Sequence, residues 1–286
     1  MYVYRLQNGK IYHGDALEVL KKLPERSVQC CVTSPPYWGL RDYGIKGQLG
    51  QEATPQAYVE NLVAVFREVR RILKDDGVLW LNLGDSYARG TRSNAVKPKE
   101  LVGIPWRVAF ALQADGWHLR SDIIWYKSNA TPESVTDRPT KAHEYIFLLT
   151  KNIHYFYDAD SIREPHKEVS LKRMGYGWKD TRTKSGKKLR SETQGTRMCH
   201  PRGKNKRTVW ITAKGAYRGG HFATFPREIP ETCIKAGSRI RDTILDPFAG
   251  AGTTLKAATK LGRIPIGIEL NYWYIINLIF PSLKED

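Results

Sequence analysis

The sequence predicts an α/β protein with a mostly parallel sheet, interrupted by a basic segment. Three observations lead there. Strand and helix periods alternate at both ends of the chain, the pattern of a parallel sheet covered by helices. Two loops, TSPPYW at 33–38 and DPFAGAGTT at 246–254, each leave a short apolar run at the end where such sheets carry ligands. Residues 161–220 show neither period and hold 17 Lys and Arg against 4 Asp and Glu.

The elements follow in order. Lys10–His13 reads as a strand ending at Gly14-Asp15, Ala16–Leu23 as a helix and Val28–Val32 as a second strand. Tyr58–Leu73 carries Leu62, Val63, Val65, Phe66, Val69, Ile72 and Leu73 on one helical stripe, with Gly77 as its stop and Val78–Leu83 as the next strand. Pro105–Ala114 is a helix, and Leu119–Tyr126 and Glu144–Leu149 are strands flanking a proline-containing loop at 128–140. After the basic segment, Ile229–Ala236 reads as a helix and Thr243–Leu245 as a strand. Leu255–Leu261, Ile264–Ile268 and Tyr272–Phe280 then read as helix, strand and helix. The chain thus divides into 1–160, 161–220 and 221–286, the middle part expected to have sparse regular structure.

Composition limits the function classes. A net charge of +17, concentrated in 161–220, points to a polyanionic partner. Nucleic acid is favoured over an anionic membrane, because the block lacks an amphipathic helical period. No stretch is apolar enough to span a bilayer, so a cytoplasmic protein is expected. Cys30, Cys31, Cys199 and Cys233 have no CxxC spacing and read as reduced, mostly buried thiols. Cys199 and His200 lack partner ligands at metal-binding spacing, and no metal is expected. Nothing in the sequence fixes an oligomeric state.

The two loops carry the chemistry. In DPFAGAGTT, Gly250 and Gly252 let backbone approach a ligand at a helix start. Glu269 closes the next strand about 20 residues on, where an acid can hold ribose hydroxyls. With no GxGxxG and no Gly-Lys-Thr, Asp246 suits a cationic amino-acid tail better than a pyrophosphate. In TSPPYW, Pro35 and Pro36 remove two backbone donors and stiffen the loop. An exocyclic amino group on a nucleobase is a poor nucleophile, because its lone pair is delocalised into the ring. Acceptors that bind both its hydrogens favour a pyramidal nitrogen, and the Ser34 hydroxyl and Pro35 carbonyl supply them. Tyr37 would stack on the base once it leaves the duplex.

Together, TSPPYW and DPFAGAGTT resemble the loops of amino-methyltransferases of DNA that use S-adenosylmethionine. The resemblance covers about residues 8–160 and 221–280, with the catalytic loop first, as in the family's β order. It implies a Rossmann-like S-adenosylmethionine-dependent methyltransferase fold with a seven-stranded, mostly parallel sheet in circularly permuted order and a basic insertion. Residues 1–160 would be the catalytic part, 161–220 the target-recognition insertion and 221–286 the cofactor-binding part. Ser34, Pro35, Pro36 and Tyr37 are then the catalytic residues. Asp15 in GDALEVL, Phe225 and Pro226 in HFATFPREIP, and Asp246, Pro247, Phe248, Gly250, Gly252, Thr253, Thr254 and Glu269 would hold S-adenosylmethionine. Lys172, Arg173, Lys187, Lys188, Arg202, Lys204, Lys206 and Arg207 are the candidate contacts to double-stranded DNA.

Several residues stay open between two readings. Trp38, Arg41 and Asp42 either seat the base or anchor their loop, and Asp85 is a site wall or a helix cap. His143-Glu144 matches a family signature or closes a hydrogen-bond network. Trp178 and Trp210 stack on bases or form a small core, the core being favoured for Trp210. Ser34 at the head of the loop resembles N4-cytosine enzymes more than the Asp-containing N6-adenine enzymes, so the resemblance implies N4-cytosine over N6-adenine. More remote alternatives are a protein glutamine methyltransferase and a non-enzymatic nucleic-acid-binding protein.

Overall fold

A computed structural model describes residues 2–88, 96–175, 200–213 and 225–284. The chain forms two compact units, Met1–Tyr157 with Thr208–Asp286, and Asp158–Arg207.

The larger unit holds a nine-stranded sheet, made of β1 (Tyr2–Arg5), β2 (Lys10–His13), β3 (Val28–Thr33), β4 (Leu73–Leu83), β5 (His118–Lys127), β6 (His143–Thr150), β7 (Val209–Thr212), β8 (Thr243–Asp246) and β9 (Ile264–Glu269). The spatial order is β1-β2-β9-β8-β3-β4-β6-β5-β7. The seven expected strands are all present, and β6 is antiparallel to both neighbours. The last two strands in sequence among those seven, β8 and β9, insert between β3 and β2 in parallel register. This is the Rossmann-like methyltransferase sheet in permuted order.

The sheet departs from seven strands at its two edges. Tyr2–Arg5 pairs antiparallel with β2, and Val209–Thr212 pairs in parallel with β5, placing Trp125 opposite Trp210. The second addition refines the expectation of sparse regular structure over 161–220, which includes this strand. TVWIT is an apolar run too short to stand out beside so much charge, and pairing with β5 decides its state. Gly77 is a correction: it lies within β4, not at a helix end. The helix before it, α2, runs Pro55–Ile72 and stops where Leu73 turns extended.

Helices cover both faces. α1 (Ala16–Leu20), α2 and α3 (Ile104–Ala114) pack together, and their apolar stripes join one core with Cys31, Leu79 and Leu81. On α2 that stripe includes Tyr58, Leu62, Phe66 and Val69, all fully buried, worth about 1.5–3 kcal/mol per large side chain. α5 (Glu228–Gly237) and α6 (Thr253–Lys260) pack with each other. The chain ends in α7 (Tyr272–Tyr274), a π-helical turn at Ile275–Ile279 and α8 (Phe280–Lys284). The adjacent cysteines show the pleat at work. Cys31 joins the α1–α3 core, while a Cβ on Gly237 of α5 would lie 2.9 Å from Cys30 Sγ. Cys30, Cys31 and Cys233 are buried thiols; Cys199 lies outside the described residues.

The smaller unit contains a 3₁₀ turn at Asp160–Ile162, α4 (Glu168–Gly175) and an antiparallel bridge between Glu164 and Lys204. Arg163 ties it together, donating to Asp160 Oδ1, the Gly203 carbonyl and Asn205 Oδ1.

Candidate active site

β3 and β8 are sheet neighbours from which the chain leaves in opposite directions, toward β4 and toward β9. Loops at the carboxyl ends of two such strands diverge and leave a crevice. A cavity of about 720 Å³ opens there, within the range of small-molecule sites. Ser34, Pro35, Pro36 and Tyr37 line it with Asp15, Phe225, Asp246, Pro247, Phe248, Gly250, Thr253 and Glu269. Arg41, Tyr43, Asn82, Lys127, Glu144, Asn271 and Tyr274 complete much of the wall.

Three of the residues expected at the cofactor stand behind the wall. The Pro226 carbonyl accepts from the Ile229 N–H at 3.1 Å, at the entry to α5. Gly252 caps α6 with φ of 81°, and a Cβ there would lie 3.1 Å from Ile279 Cγ2. Only glycine combines that conformation with that approach at little cost. Thr254 is fully buried, its hydroxyl donating to the Val32 carbonyl at 3.3 Å.

The loop after β8 is organised by two buried carboxyls. Asp246 Oδ1 accepts from the Thr33 hydroxyl at 2.7 Å and from the Phe248 N–H at 3.1 Å. Glu269 Oε2 accepts from the Gly250 N–H and its Oε1 from the Asn271 N–H, each at 2.7 Å. Burial pushes Asp246 up to about 6 and Glu269 up to about 7, and these hydrogen bonds offset only part of it. A positive group nearby would restore their charged forms. Asp15 caps α1, accepting from the Glu18 N–H at 3.0 Å. Three carboxyls beside an open glycine backbone, with no Lys or Arg in the glycine loop, suit a cationic ligand with ribose and amino-acid parts rather than a phosphate.

The loop after β3 is held differently. The Tyr58 hydroxyl donates to the Pro36 carbonyl at 2.8 Å, and among the described residues no donor is paired with the Pro35 carbonyl. The Tyr37 ring lies against the backbone of Gly84, where a Cβ would come within 2.5 Å of Cε2. Its hydroxyl meets Ser34 Oγ at 3.1 Å, Asn82 Oδ1 at 3.1 Å and Glu144 Oε2 at 2.7 Å. Lys127 forms an ion pair with the other oxygen of Glu144.

The open residues sort themselves. Trp38 is buried and donates to the Glu52 carbonyl at 2.9 Å, and Asp42 accepts from the Gly44 N–H at 2.7 Å, so both anchor their loop. Arg41 faces the cavity. Asp85 caps α3, accepting from the Ile104 N–H at 3.0 Å. Glu144 closes the hydrogen-bond network around Tyr37, while burial holds His143 below its usual range. Trp210 is core, its ring centroid 6.1 Å from that of Trp80. Trp178 lies outside the described residues. Sequence reasoning missed Asn82 and Lys127. Their signal was a polar residue inside the apolar run VLWLNL and a lysine closing IIWYK.

In the smaller unit the candidate DNA contacts are largely ion-paired. Arg202 lies 3.2 Å from Asp160, and Lys204 and Arg207 lie 3.6 and 2.9 Å from Glu164. Lys206 is half-buried on the same segment. Lys172 and Arg173 fall in α4, their side chains outside the described residues, as Lys187 and Lys188 are altogether.

A permuted mostly parallel sheet with these two facing loops defines an S-adenosylmethionine-dependent methyltransferase. The family model described as DNA methylase matches residues 28–278, and the chain belongs to that family. Type II methyltransferase M.SmaI of Serratia marcescens is 45% identical, over 94% of this chain and 89% of its own. M.Cfr9I of Citrobacter freundii is 43% identical, over 94% and 86%. A putative DNA modification methylase of Thermus thermophilus, solved with S-adenosyl-L-methionine, gives a TM-score of 0.63 at 27% identity, covering 96% of this chain and 93% of that one. PvuII DNA methyltransferase (cytosine-N4-specific) gives 0.71 at 21% identity, over 97% and 87%, a likeness of fold. The chain is thus a Type II DNA methyltransferase of the N4/N6 amino-methylase family, with S-adenosylmethionine as cofactor and DNA as substrate. No helix among the described residues is long and apolar enough to cross a membrane.

Proposed function

We propose that this enzyme methylates the N4 amino group of a cytosine flipped out of duplex DNA. The carrying observation is Ser34, which heads the loop after β3 and lines the same cavity as Asp246 and Glu269. The Ser34 hydroxyl and the Pro35 carbonyl accept the two amino hydrogens, and the ring of Tyr37 covers the face of the base. S-adenosylmethionine supplies an activated methyl group together with its own leaving group. At the ends of β8 and β9, Asp246 faces the amino-acid tail and Glu269 the ribose, and Asp15 at the start of α1 faces the adenosine. Phe225, Pro247, Phe248, Gly250 and Thr253 shape the remaining wall, with Pro226, Gly252 and Thr254 supporting them. Asp158–Arg207 and the basic residues continuing from it serve as the target-recognition part, working on DNA in the cytoplasm.

Methylated DNA digested to nucleosides and weighed tests the base. N4-methylcytidine supports the reading, and N6-methyladenosine alone overturns it.

A further inference from the structure

The hydroxyl of Ser34 can act toward the base as donor or acceptor, and only the acceptor form frees the amino lone pair. What fixes it is readable from the groups behind it. Glu144 Oε2 and the Tyr37 hydroxyl oxygen lie 2.7 Å apart, so a hydrogen must lie between them. An ionised carboxylate only accepts, and Glu144 has Lys127 as its ion-pair partner. The single hydroxyl hydrogen of Tyr37 therefore points at Glu144.

The Tyr37 oxygen then needs a donor, and two groups are near enough. Asn82 is one, but its amide is oriented by its other end. Asn82 Nδ2 donates to Glu144 Oε2 and to the Tyr145 carbonyl, both at 3.1 Å. Turning the amide over would set its oxygen against a carboxylate and a carbonyl, so Oδ1 faces Tyr37 and cannot donate. Ser34 remains, 3.1 Å away. Its hydrogen is committed to Tyr37, and its lone pairs are left as the only function it can offer the cavity. The chain runs in one direction, Ser34 to Tyr37 to Glu144, and the acidic end sets that direction. The backbone holds the relay in place: Gly84 leaves no room behind the Tyr37 ring, and the Tyr58 hydroxyl pins the Pro36 carbonyl.

We propose that Glu144 and the Tyr37 hydroxyl are positioning residues that act through Ser34, holding its hydroxyl as a fixed acceptor for the amino group of the target base. This rests on the reading that Ser34 receives an amino hydrogen, and it holds for cytosine or adenine alike.

The test is a double-mutant cycle on the full chain, reading kcat under single-turnover conditions with radiolabelled S-adenosylmethionine and saturating DNA. Tyr37→Phe keeps the ring and removes only the relay. It should lower kcat on the order of tenfold and leave cofactor affinity unchanged. In a Ser34→Ala background the same change should cost less than about twofold, because there is no hydroxyl left to orient. Glu144→Gln should behave in the same way, since an amide can turn a donor toward Tyr37 and reverse the chain. Equal losses with and without Ser34, or full turnover in Tyr37→Phe, would overturn the assignment. Weighing the product in the same samples separates this from the base assignment. Methyladenine with a non-additive cycle counts against cytosine alone, and methylcytosine with an additive cycle counts against the relay alone.

Discussion

The loops after β3 and β8 leave adjacent strands and face one cavity, yet they are built on opposite principles. The loop after β3 presents acceptors. Its prolines have no N–H to offer, and its serine hydroxyl is turned by Tyr37 and Glu144. The loop after β8 turns its Phe248 and Gly250 N–H groups onto the buried carboxyls of Asp246 and Glu269. One loop is oriented by side chains behind it, the other by acids at the ends of β8 and β9. The difference matches their tasks. An amino group must be stripped of its hydrogens' influence, whereas a cationic cofactor must be met by negative charge. A strut joins them, from the Thr33 hydroxyl to Asp246 at 2.7 Å.

The largest effect should come from separating the two tasks. Asp246→Asn keeps an oxygen for Thr33 and Phe248 but removes the charge. Titration calorimetry should show S-adenosylmethionine affinity reduced by roughly 30-fold or more, as for loss of one member of a buried charge pair. Ser34→Ala should leave that affinity intact and slow turnover to a rate that single-turnover assays still read. Equal loss of cofactor binding in both would break the division of labour.

Next in size is a pH dependence confined to the loop after β8. Asp246 and Glu269 titrate at about 6 and about 7 when folded, above the ordinary carboxylate range of the unfolded chain. The folded protein thus binds these protons more tightly, so their contribution favours folding most at low pH. It declines as pH rises from the carboxylate range to about 7 and is level above that. Urea midpoints of the cofactor-free protein should fall over that window, less so in Asp246→Asn. A cationic cofactor reverses the demand, and its affinity should rise as pH climbs through about 6 and about 7. Affinity flat across that range would show that these carboxyls do not meet a positive group.

The smallest effect should come from the strut. Thr33→Val keeps the shape of a fully buried residue and removes one charge-assisted hydrogen bond, costing about 1–2 kcal/mol in urea denaturation. Cofactor affinity and turnover should fall together by a few-fold, because both loops lose the same support. A fall in only one would show that the loops are positioned independently.

Much of this architecture was legible in the chain. Alternating periods located seven strands, and two short loops with an acid after the glycine turn located the cavity. Edge strand Val209–Thr212 was not legible, because four residues bearing two exposed apolar side chains carry no decisive pattern until β5 pairs with them. Nor was the end of α2, since the stripe runs on through Leu73 while the backbone is captured by β3. Asn82 and Lys127 stood out only as polar residues in apolar runs, which says that they have partners without saying which.

By itself the sequence determined the order of the loops, the residue types that make one a set of acceptors and the other a cradle, and the basic character of the segment between them. These are local properties: a proline lacks its N–H in any fold, and a glycine tolerates φ of 81° wherever it is needed. Tertiary structure alone decided which way the Ser34 hydroxyl points. That depends on Glu144, more than a hundred residues away and brought to Tyr37 because β6 runs antiparallel beside β4. A hydroxyl can rotate, and only packed neighbours with fixed hydrogen-bonding roles remove that freedom.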